Sequence, residues 1–301
     1  MHKRIVGNLL LLLTAFIWGV TFVTQSLSME YVGPFTFNAF RCFFGGSVLL
    51  PVIFMMKRRK EKQSPVQKKH TLVGGVLCGA FLFLGSSFQQ IGIQYTTVQK
   101  ASFISALYII LVPIFSLFSG RRPSSLGWAA VGISTAGLYL LCIREDLTIN
   151  PGDAYIFVSA ILYAGHILAV DRTIAHADGV SMSCIQFYVT ALLSVGCMFL
   201  FEKPVLSDIK MAAGSMLYAG VMSNGVAYTL QIIAQKNTAP AVASLILSLE
   251  SVFGALAGWL FLGERFSYRE GAGMLLMFFA IIISQLPGKA IKQASLEIEN
   301  M

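Results

Sequence analysis

Charged residues are scarce in this sequence. Only 12% of its 301 residues are Asp, Glu, Lys or Arg, whereas 56% are hydrophobic. Soluble domains average about 25% charged residues, so this chain has too few to cover a surface that faces water. The deficit excludes a soluble globular protein and indicates a chain that crosses the membrane several times, with the lipid bilayer as its surroundings.

Familiar catalytic and nucleotide-binding motifs are also missing. The sequence contains no HExxH, no GxSxG and no GxxxxGK[ST], so we expect no enzyme activity, no cofactor and no ATP-driven step. The five cysteines lie within apolar stretches and form no CxxC pair, so disulfides and metal sites are not expected. The net charge of +8 lies in short loops, which argues against a nucleic-acid partner.

Long apolar runs are what the sequence has instead. Ten stretches of about 20 residues, the length needed to cross a bilayer, are separated by charged or turn-forming segments. These spans, numbered 1 to 10, cover 5–28, 34–56, 71–93, 99–119, 124–143, 152–173, 180–201, 211–235, 239–262 and 267–286. The pattern predicts an all-α membrane protein with ten transmembrane helices, the first of them a retained helix and not a cleaved signal peptide.

The positions of Lys and Arg predict the orientation. With the N-terminus inside, the inside segments hold 15 of the 22 Lys and Arg residues and the outside segments hold six. Seven of the inside residues lie in one predicted loop, 57–70. Because cytoplasmic loops are enriched in positive charge, we expect a multi-pass protein of the cell (plasma or inner) membrane with both termini in the cytoplasm.

The two halves of the sequence resemble each other. Similar residues recur at a spacing of 145 or 141 positions: Gly7 and Gly152, Trp18 and Tyr163, Arg41 and Gln186, Gly79 and Gly220, Gln90 and Gln231, Gln94 and Gln235, Thr97 and Thr238. We interpret 1–147 as a first repeat of five helices, 148–288 as a second, and 289–301 as a polar cytoplasmic tail. Since five is odd, the second repeat must cross the membrane upside down, which gives two inverted-topology repeats.

Four segments carry a resemblance to a known family. They are IWGVTF at 17–22, FRCFFGG at 40–46, QQIGIQYTTVQKASFISALYIILVP at 89–113 and KNTAPAVASLILSLESVFGALAGWLFLGER at 236–265. Together they resemble the EamA-type branch of the drug/metabolite transporter superfamily over nearly all of 7–286. The resemblance implies a central cavity surrounded by spans 1, 3, 4, 6, 8 and 9, with spans 5 and 10 at the periphery.

The sequence departs from the family pattern in two places. Ser251 replaces the proline that usually follows the glutamate of the second-half motif, so a kink there is not assured. Spans 1 and 6 lack the membrane-depth carboxylate found in the related four-helix exporters of cationic drugs, which argues against export of multiple cationic drugs.

Glu250 is the one charged residue between Val242 and Gly263. A carboxylate near the centre of a span persists if it is paired, neutral or next to water. Glu250 is therefore either a proton-coupling or substrate site in the cavity, or a hydrogen-bonded group that locks span 9 to a neighbour. Gly254 and Gly258 one turn later favour close helix contact.

Other polar and aromatic residues at membrane depth are candidates for substrate binding. They are Trp18, Gln90, Tyr108, Tyr163, His166, Asn224, Tyr228 and Gln231. The glutamines and Asn224 form stripes on one face of spans 3 and 8, which suit either a wet cavity or hydrogen bonds between helices. His166 is either a neutral hydrogen-bonded group or a proton-coupling residue. Arg41 snorkels to the headgroups, pairs within the protein, or contacts substrate.

The sequence thus predicts a secondary transporter of small organic metabolites, such as amino acids or related compounds, that works by alternating access. The family resemblance favours export, and the proton is the candidate coupling ion. The alternatives are a membrane receptor or assembly protein without transport, and an intramembrane enzyme, which would need a nucleophile and base or metal ligands at membrane depth.

Overall fold

The computed structural model describes residues 2–59, 64–96, 98–118, 120, 123–142, 150–262 and 267–285. Within these ranges every regular element is a helix. The first seven are α1 (His2–Ser28), α2 (Pro34–Arg59), α3 (Pro65–Ile93), α4 (Val98–Ala106), α5 (Tyr108–Phe118), α6 (Ser125–Cys142) and α7 (Pro151–Ile174). The others are α8 (Gly179–Phe201), α9 (Leu206–Tyr218), a π-helix (Ala219–Tyr228), α10 (Thr229–Gln235), α11 (Pro240–Leu247), α12 (Glu250–Leu262) and α13 (Tyr268–Gln285).

Seven of the described helical stretches are long and apolar enough to cross a membrane. They are Arg4–Ser28, Pro34–Met56, Pro65–Ile93, Ala101–Phe118, Pro151–Ile174, Gly179–Phe201 and Pro240–Ala257. A shorter apolar helix covers Ser125–Leu141. The remaining predicted spans, 8 and 10, coincide with the continuous run α9–π-helix–α10 and with α13.

The distribution of polar and apolar side chains is reversed relative to a soluble protein. Large hydrophobic side chains such as Phe118, Leu192 and Leu200 are exposed on the outside, whereas Gln90 and Gln186 are fully buried. Lipid is as apolar as the core, so apolar side chains can face outward and polar side chains are retained where other helices or a cavity satisfy them.

The predicted loop at 57–70 is shorter than expected. α2 continues to Arg59 and α3 already begins at Pro65, so the prediction was wrong for 57–59 and 65–70. Ser64 explains the early start of α3, because its side chain accepts a hydrogen bond from the Gln67 backbone N–H and proline follows at the first helical position. The positively charged residues extend the helices beyond the apolar stretch, since Lys and Arg are good helix formers.

Local capping also sets the start of α7. Asn150 and Asp153 form a capping box around Pro151 at the start of α7. The Thr96 hydroxyl donates a hydrogen bond to Asp153 Oδ1 at 2.6 Å. This bond connects the end of span 3 to the start of span 6. The predicted tail 289–301, Thr97 and the Arg121–Arg122 pair lie outside the described residues.

Candidate substrate cavity

A small cavity lies between the two halves of the chain. Its volume is about 40 Å³, which is room for a few water molecules and too little for a metabolite. The residues that line it come from α1, α2, α3, α5, α7, the π-helix, α10 and α12: Trp18, Thr21, Phe22, Gln25, Arg41, Gln89, Tyr108, Tyr163, His166, Ile167, Ser223, Tyr228, Gln231 and Glu250. The cavity is thus formed by the predicted spans 1, 3, 4, 6, 8 and 9, with span 2 in addition.

Spans 4 and 9 are both interrupted where they reach the cavity. A turn at Leu107 separates α4 from α5, and a turn at Ser248 and Leu249 separates α11 from α12. The second halves of these spans begin with Tyr108 and Glu250, and the Tyr108 hydroxyl donates to Glu250 Oε1 at 3.0 Å. The hydrogen bond therefore joins span 4 to span 9 at the point where each span is interrupted. Interrupted helices of this kind surround the binding sites of many secondary transporters.

The interruption of span 9 does not require the proline that Ser251 replaces. The Ser248 hydroxyl donates to the Leu245 carbonyl oxygen at 2.8 Å, and the Leu249 N–H donates to the Ile246 carbonyl oxygen at 3.2 Å. A serine hydroxyl that bonds to the preceding turn competes with the helical hydrogen bonds and bends the helix.

The surroundings of Glu250 suit both roles considered for it, and both roles stay predictions. Its side chain is 5% exposed and lies on the cavity wall, whereas the backbone of α12 packs directly against α1. A Cβ atom added to Gly19 would lie 2.6 Å from the Gly254 nitrogen and 2.8 Å from the Glu250 carbonyl oxygen. The predicted close helix contact at Gly254 is therefore confirmed, and it leaves the carboxylate free to face the cavity. The Gly258 side of that motif lies outside the described side chains.

The aromatic candidates form one wall of the cavity. The ring centroids of Trp18 and Tyr228 are 4.5 Å apart, and His166 meets Tyr228 edge-on at 5.7 Å. The Tyr163 hydroxyl donates to Gln89 Oε1 at 3.0 Å. Apolar ring faces with hydroxyl groups at their edges can hold the apolar part of a solute and orient its polar part.

His166 also contacts a neighbouring helix. Its Nε2 lies 3.0 Å from Gln186 Oε1 on α8, so the imidazole is hydrogen-bonded to a neighbouring helix and also lines the cavity. Both interpretations of His166 remain predictions. Gln186 is the residue that the repeat spacing pairs with Arg41.

The polar stripes divide between the cavity and helix packing. Gln231 lies in the cavity wall, and its Oε1 has no partner among the described residues. Gln90 is behind the wall, where it accepts a hydrogen bond from Gln25 Nε2 at 2.7 Å. Asn224 points away from the cavity and its Nδ2 donates to Cys42 Sγ at 3.2 Å. The structure therefore does not place Gln90 and Asn224 in the cavity wall.

Arg41 is the main residue that the sequence did not assign to the cavity. It is 3% exposed and lines the cavity, so snorkelling to the headgroups is wrong. Depth along the span could not reveal this, because depth does not say which face of the helix points inward. Gln25 and Thr21 were also missed, although Trp18, Thr21 and Gln25 follow helical spacing and share one face of α1.

The architecture and the cavity indicate the class of protein. Helices of membrane-crossing length surround a buried polar and aromatic cavity that lies between two similar halves, as in membrane transporters. The sequence model of the EamA-like transporter family matches the chain twice, at residues 5–143 and 150–286. The chain therefore belongs to the EamA-like transporter family and is a membrane transporter with two EamA domains.

Individual relatives agree with this assignment. The chain is 28% identical to an uncharacterized transporter of Archaeoglobus fulgidus, over 94% of this chain and 87% of the relative. It is 27% identical to the uncharacterized transporter YwfM of Bacillus subtilis, over 95% and 96% of the two chains. It is 25% identical to the uncharacterized inner membrane transporter YedA of Escherichia coli, over 90% and 87%.

A solved crystal structure shares the fold. It superposes with a TM-score of 0.75 at 19% identity and covers 96% of this chain and 98% of its own. At that identity the likeness shows the fold alone.

Proposed function

We propose that this protein is a secondary transporter that moves small organic metabolites, such as amino acids or related compounds, across the cell membrane by alternating access. The observation that carries the proposal is the cavity between the two halves, where interrupted spans 4 and 9 meet at the Tyr108–Glu250 hydrogen bond. Export is the proposed direction, from the family resemblance, and the proton is the proposed coupling ion.

Paired packing contacts support two inverted five-helix repeats, 1–147 and 148–288, within ten transmembrane helices. A Cβ atom on Gly220 would lie 2.8 Å from the Arg41 carbonyl oxygen, and one on Gly79 would lie 2.9 Å from the Gln186 carbonyl oxygen. The repeat spacing pairs Gly79 with Gly220 and Arg41 with Gln186. Span 2 of the first repeat thus packs on span 8 of the second, and the equivalent span 7 of the second repeat packs on span 3 of the first. A twofold axis that relates the repeats would produce this pair of contacts.

A second pair of contacts also joins equivalent spans of the two repeats. A Cβ atom on Gly7 would lie 3.2 Å from the Ala234 carbonyl oxygen, and one on Gly152 would lie 2.7 Å from the Gly92 carbonyl oxygen. Spans 1 and 6 therefore begin against the ends of spans 8 and 3. Such symmetry supplies two equivalent arrangements, each open to one side of the membrane.

The volume of the cavity supports a mechanism with moving repeats. At about 40 Å³ it cannot hold a solute such as an amino acid, whereas ligand pockets are typically about 300–1,000 Å³. A solute can bind only after the repeats rock apart on one side. We therefore assign the arrangement of this structure to a closed state of the transport cycle.

Flux through the purified protein in lipid vesicles tests the function. Vesicles that contain the protein should exchange labelled small metabolites across the bilayer faster than protein-free vesicles, whereas a receptor or an enzyme would not. A screen of amino acids and related amphipathic compounds for thermal stabilisation of the purified protein would select the solutes. Absence of flux for every stabilising compound would contradict the proposal.

Tyr163→Ala and Tyr228→Ala should change solute affinity or flux more than folding yield. Both side chains lie in the cavity wall, so their loss removes contact surface for solute. Tyr155→Ala is a matched control, because Tyr155 lies on the outer face of α7 against Phe88 and outside the cavity. Flux at the wild-type level in both cavity variants would remove these tyrosines from the site.

The proposed orientation, with both termini in the cytoplasm, predicts a specific labelling pattern. In a variant without native cysteines, Ser64→Cys should resist a membrane-impermeant maleimide in intact cells and react after lysis. Ser207→Cys, between spans 7 and 8, should react in intact cells. Both positions are exposed, so access to the reagent decides the result. If Ser64→Cys reacts in intact cells and Ser207→Cys does not, the protein has the opposite orientation in the membrane.

A further inference from the structure

Arg41 is a buried cation whose charge is not balanced within the part of the protein that the structure describes. Its guanidinium carbon lies 5.2 Å from the centre of the Phe37 ring, and its Nε has no hydrogen-bond partner there. No ion pair to Arg41 exists among the described residues. A guanidinium at membrane depth is costly unless an anion or water compensates it, and the cavity is where that compensation can come from.

The backbone around Arg41 fixes its position. Gly220 of the π-helix packs against the Arg41 carbonyl oxygen, and Gly45, one turn later on α2, packs against Asn224. These contacts hold α2 close against the π-helix, with Arg41 on the cavity wall. A π-helix at this point is in keeping with a functional site, where such helices are frequent.

Among the described residues that line the cavity, Arg41 is the only Lys or Arg and Glu250 is the only carboxylate. Glu250 is engaged by Tyr108 at 3.0 Å. The cavity therefore offers one positive group without an ion pair among the described residues, and the aromatic rings of Trp18, Tyr163 and Tyr228 line the same cavity. Arg binds carboxylates through two parallel N–H···O bonds.

We propose that Arg41 binds the carboxylate of the transported solute, which makes small amphipathic monocarboxylates the substrate class. The assignment rests on the proposed transport function. One guanidinium balances one negative charge, whereas a phosphate monoester would bring about two next to Glu250 and leave negative charge uncompensated. The aromatic wall takes the apolar part of the solute. Gln186, the counterpart of Arg41 in the second repeat, is neutral, so the repeat relation supplies no second cation.

Matched acid and amide probes test this assignment on the purified full chain in lipid nanodiscs. The acids are 3-phenylpropionate, 4-methylpentanoate and butanoate, each compared with its primary amide by calorimetry or thermal stabilisation. At least one acid should bind wild-type protein about tenfold or more tighter than its amide, the range expected for hydrogen bonds to a charged group. Arg41→Gln should make acid and amide equal, and Arg41→Lys should retain part of the preference.

Lys210→Gln is the control, because Lys210 is exposed on α9 and outside the cavity; it should preserve the preference. Equal binding of acid and amide by wild-type protein, failure of all three acids to bind, or an intact preference in Arg41→Gln would overturn the assignment. The comparison of acid with amide on wild-type protein tests the substrate class even if the Arg41 variants do not fold. Vesicle flux of a monocarboxylate that continues at the wild-type level in Arg41→Gln would refute Arg41 as the carboxylate site while the transport function stands.

Discussion

Replacing Glu250 with Gln should abolish solute transport driven by a pH gradient and leave exchange of solute between the two sides of the membrane intact. The amide has the shape of the protonated carboxyl group but cannot release a proton. A cycle that needs Glu250 to gain and lose a proton therefore stops, whereas exchange, in which the protonation state need not change, continues. Vesicles with and without a pH gradient, loaded with the same solute, separate the two activities.

The surroundings of Glu250 define the comparison variants. The titratable or charged groups that share its cavity are Tyr108, Tyr163, His166, Tyr228 and Arg41. His166 is the other candidate for proton coupling, since histidine is the side chain that ordinarily titrates near neutral pH, so His166→Gln is measured in parallel. Gradient-driven transport that survives in Glu250→Gln and disappears in His166→Gln would move the coupling site to His166.

Folding must be measured in the same experiment. The Tyr108 hydroxyl can still donate to the amide oxygen of the substituted side chain in Glu250→Gln, so we expect the variant to fold and bind solute. If Glu250→Gln instead fails to fold, Glu250 serves mainly to hold span 9 against span 4. Glu202→Gln, which alters a carboxylate that binds the Phe35 and Thr36 backbone N–H groups at 2.7 and 2.8 Å, is the control for loss of a carboxylate outside the cavity.

The positions of the helices were predictable because the bilayer imposes a simple rule. Apolar runs of about 20 residues mark helices, and the predicted spans agree with the observed helices within a few residues except at the start of spans 3 and 8. Those starts lie in polar segments, where local capping and helix propensity, not hydropathy, determine the first residue of the helix. Ser64 before α3 is one such case.

The site was predictable only in part. Glu250, Tyr108, Tyr163 and Tyr228 could be placed because a polar or aromatic residue on an inner span has few alternatives to the cavity. Arg41 could not, since its orientation depends on the packing of α2 against the π-helix, which no local pattern encodes. The interruption of span 9 was equally hidden, because serine hydroxyl bonds and tertiary contacts produce it without a proline.

The contact of Gly220 with Arg41 and the equivalent contact of Gly79 with Gln186 matter for both the fold and the proposed mechanism. In a membrane, helices associate through close packing of small residues, because lipid supplies little hydrophobic driving force between them. Contacts at Gly79 and Gly220 join one EamA repeat to the other and so contribute to the stability of the protein. In the proposed alternating-access mechanism they are also the contacts that would have to adjust when the repeats move.

Gly79→Ala and Gly220→Ala should therefore destabilise the protein strongly and to a similar degree. The added Cβ would lie 2.8 Å from Val189 Cβ in the first variant and 2.6 Å from Phe44 Cβ in the second, and overpacking of this kind typically costs about 1–3 kcal/mol. Gly196→Ala and Gly214→Ala are matched controls, since among the described residues no atom outside the local helix backbone lies within 4 Å of their added Cβ. Alanine should leave the protein unchanged or slightly more stable there. Thermal unfolding midpoints and monodisperse yield measure the difference. A large loss at Gly220 with none at Gly79 would show that the two contacts are not equivalent, and the proposed twofold relation between the repeats would lose its main structural support.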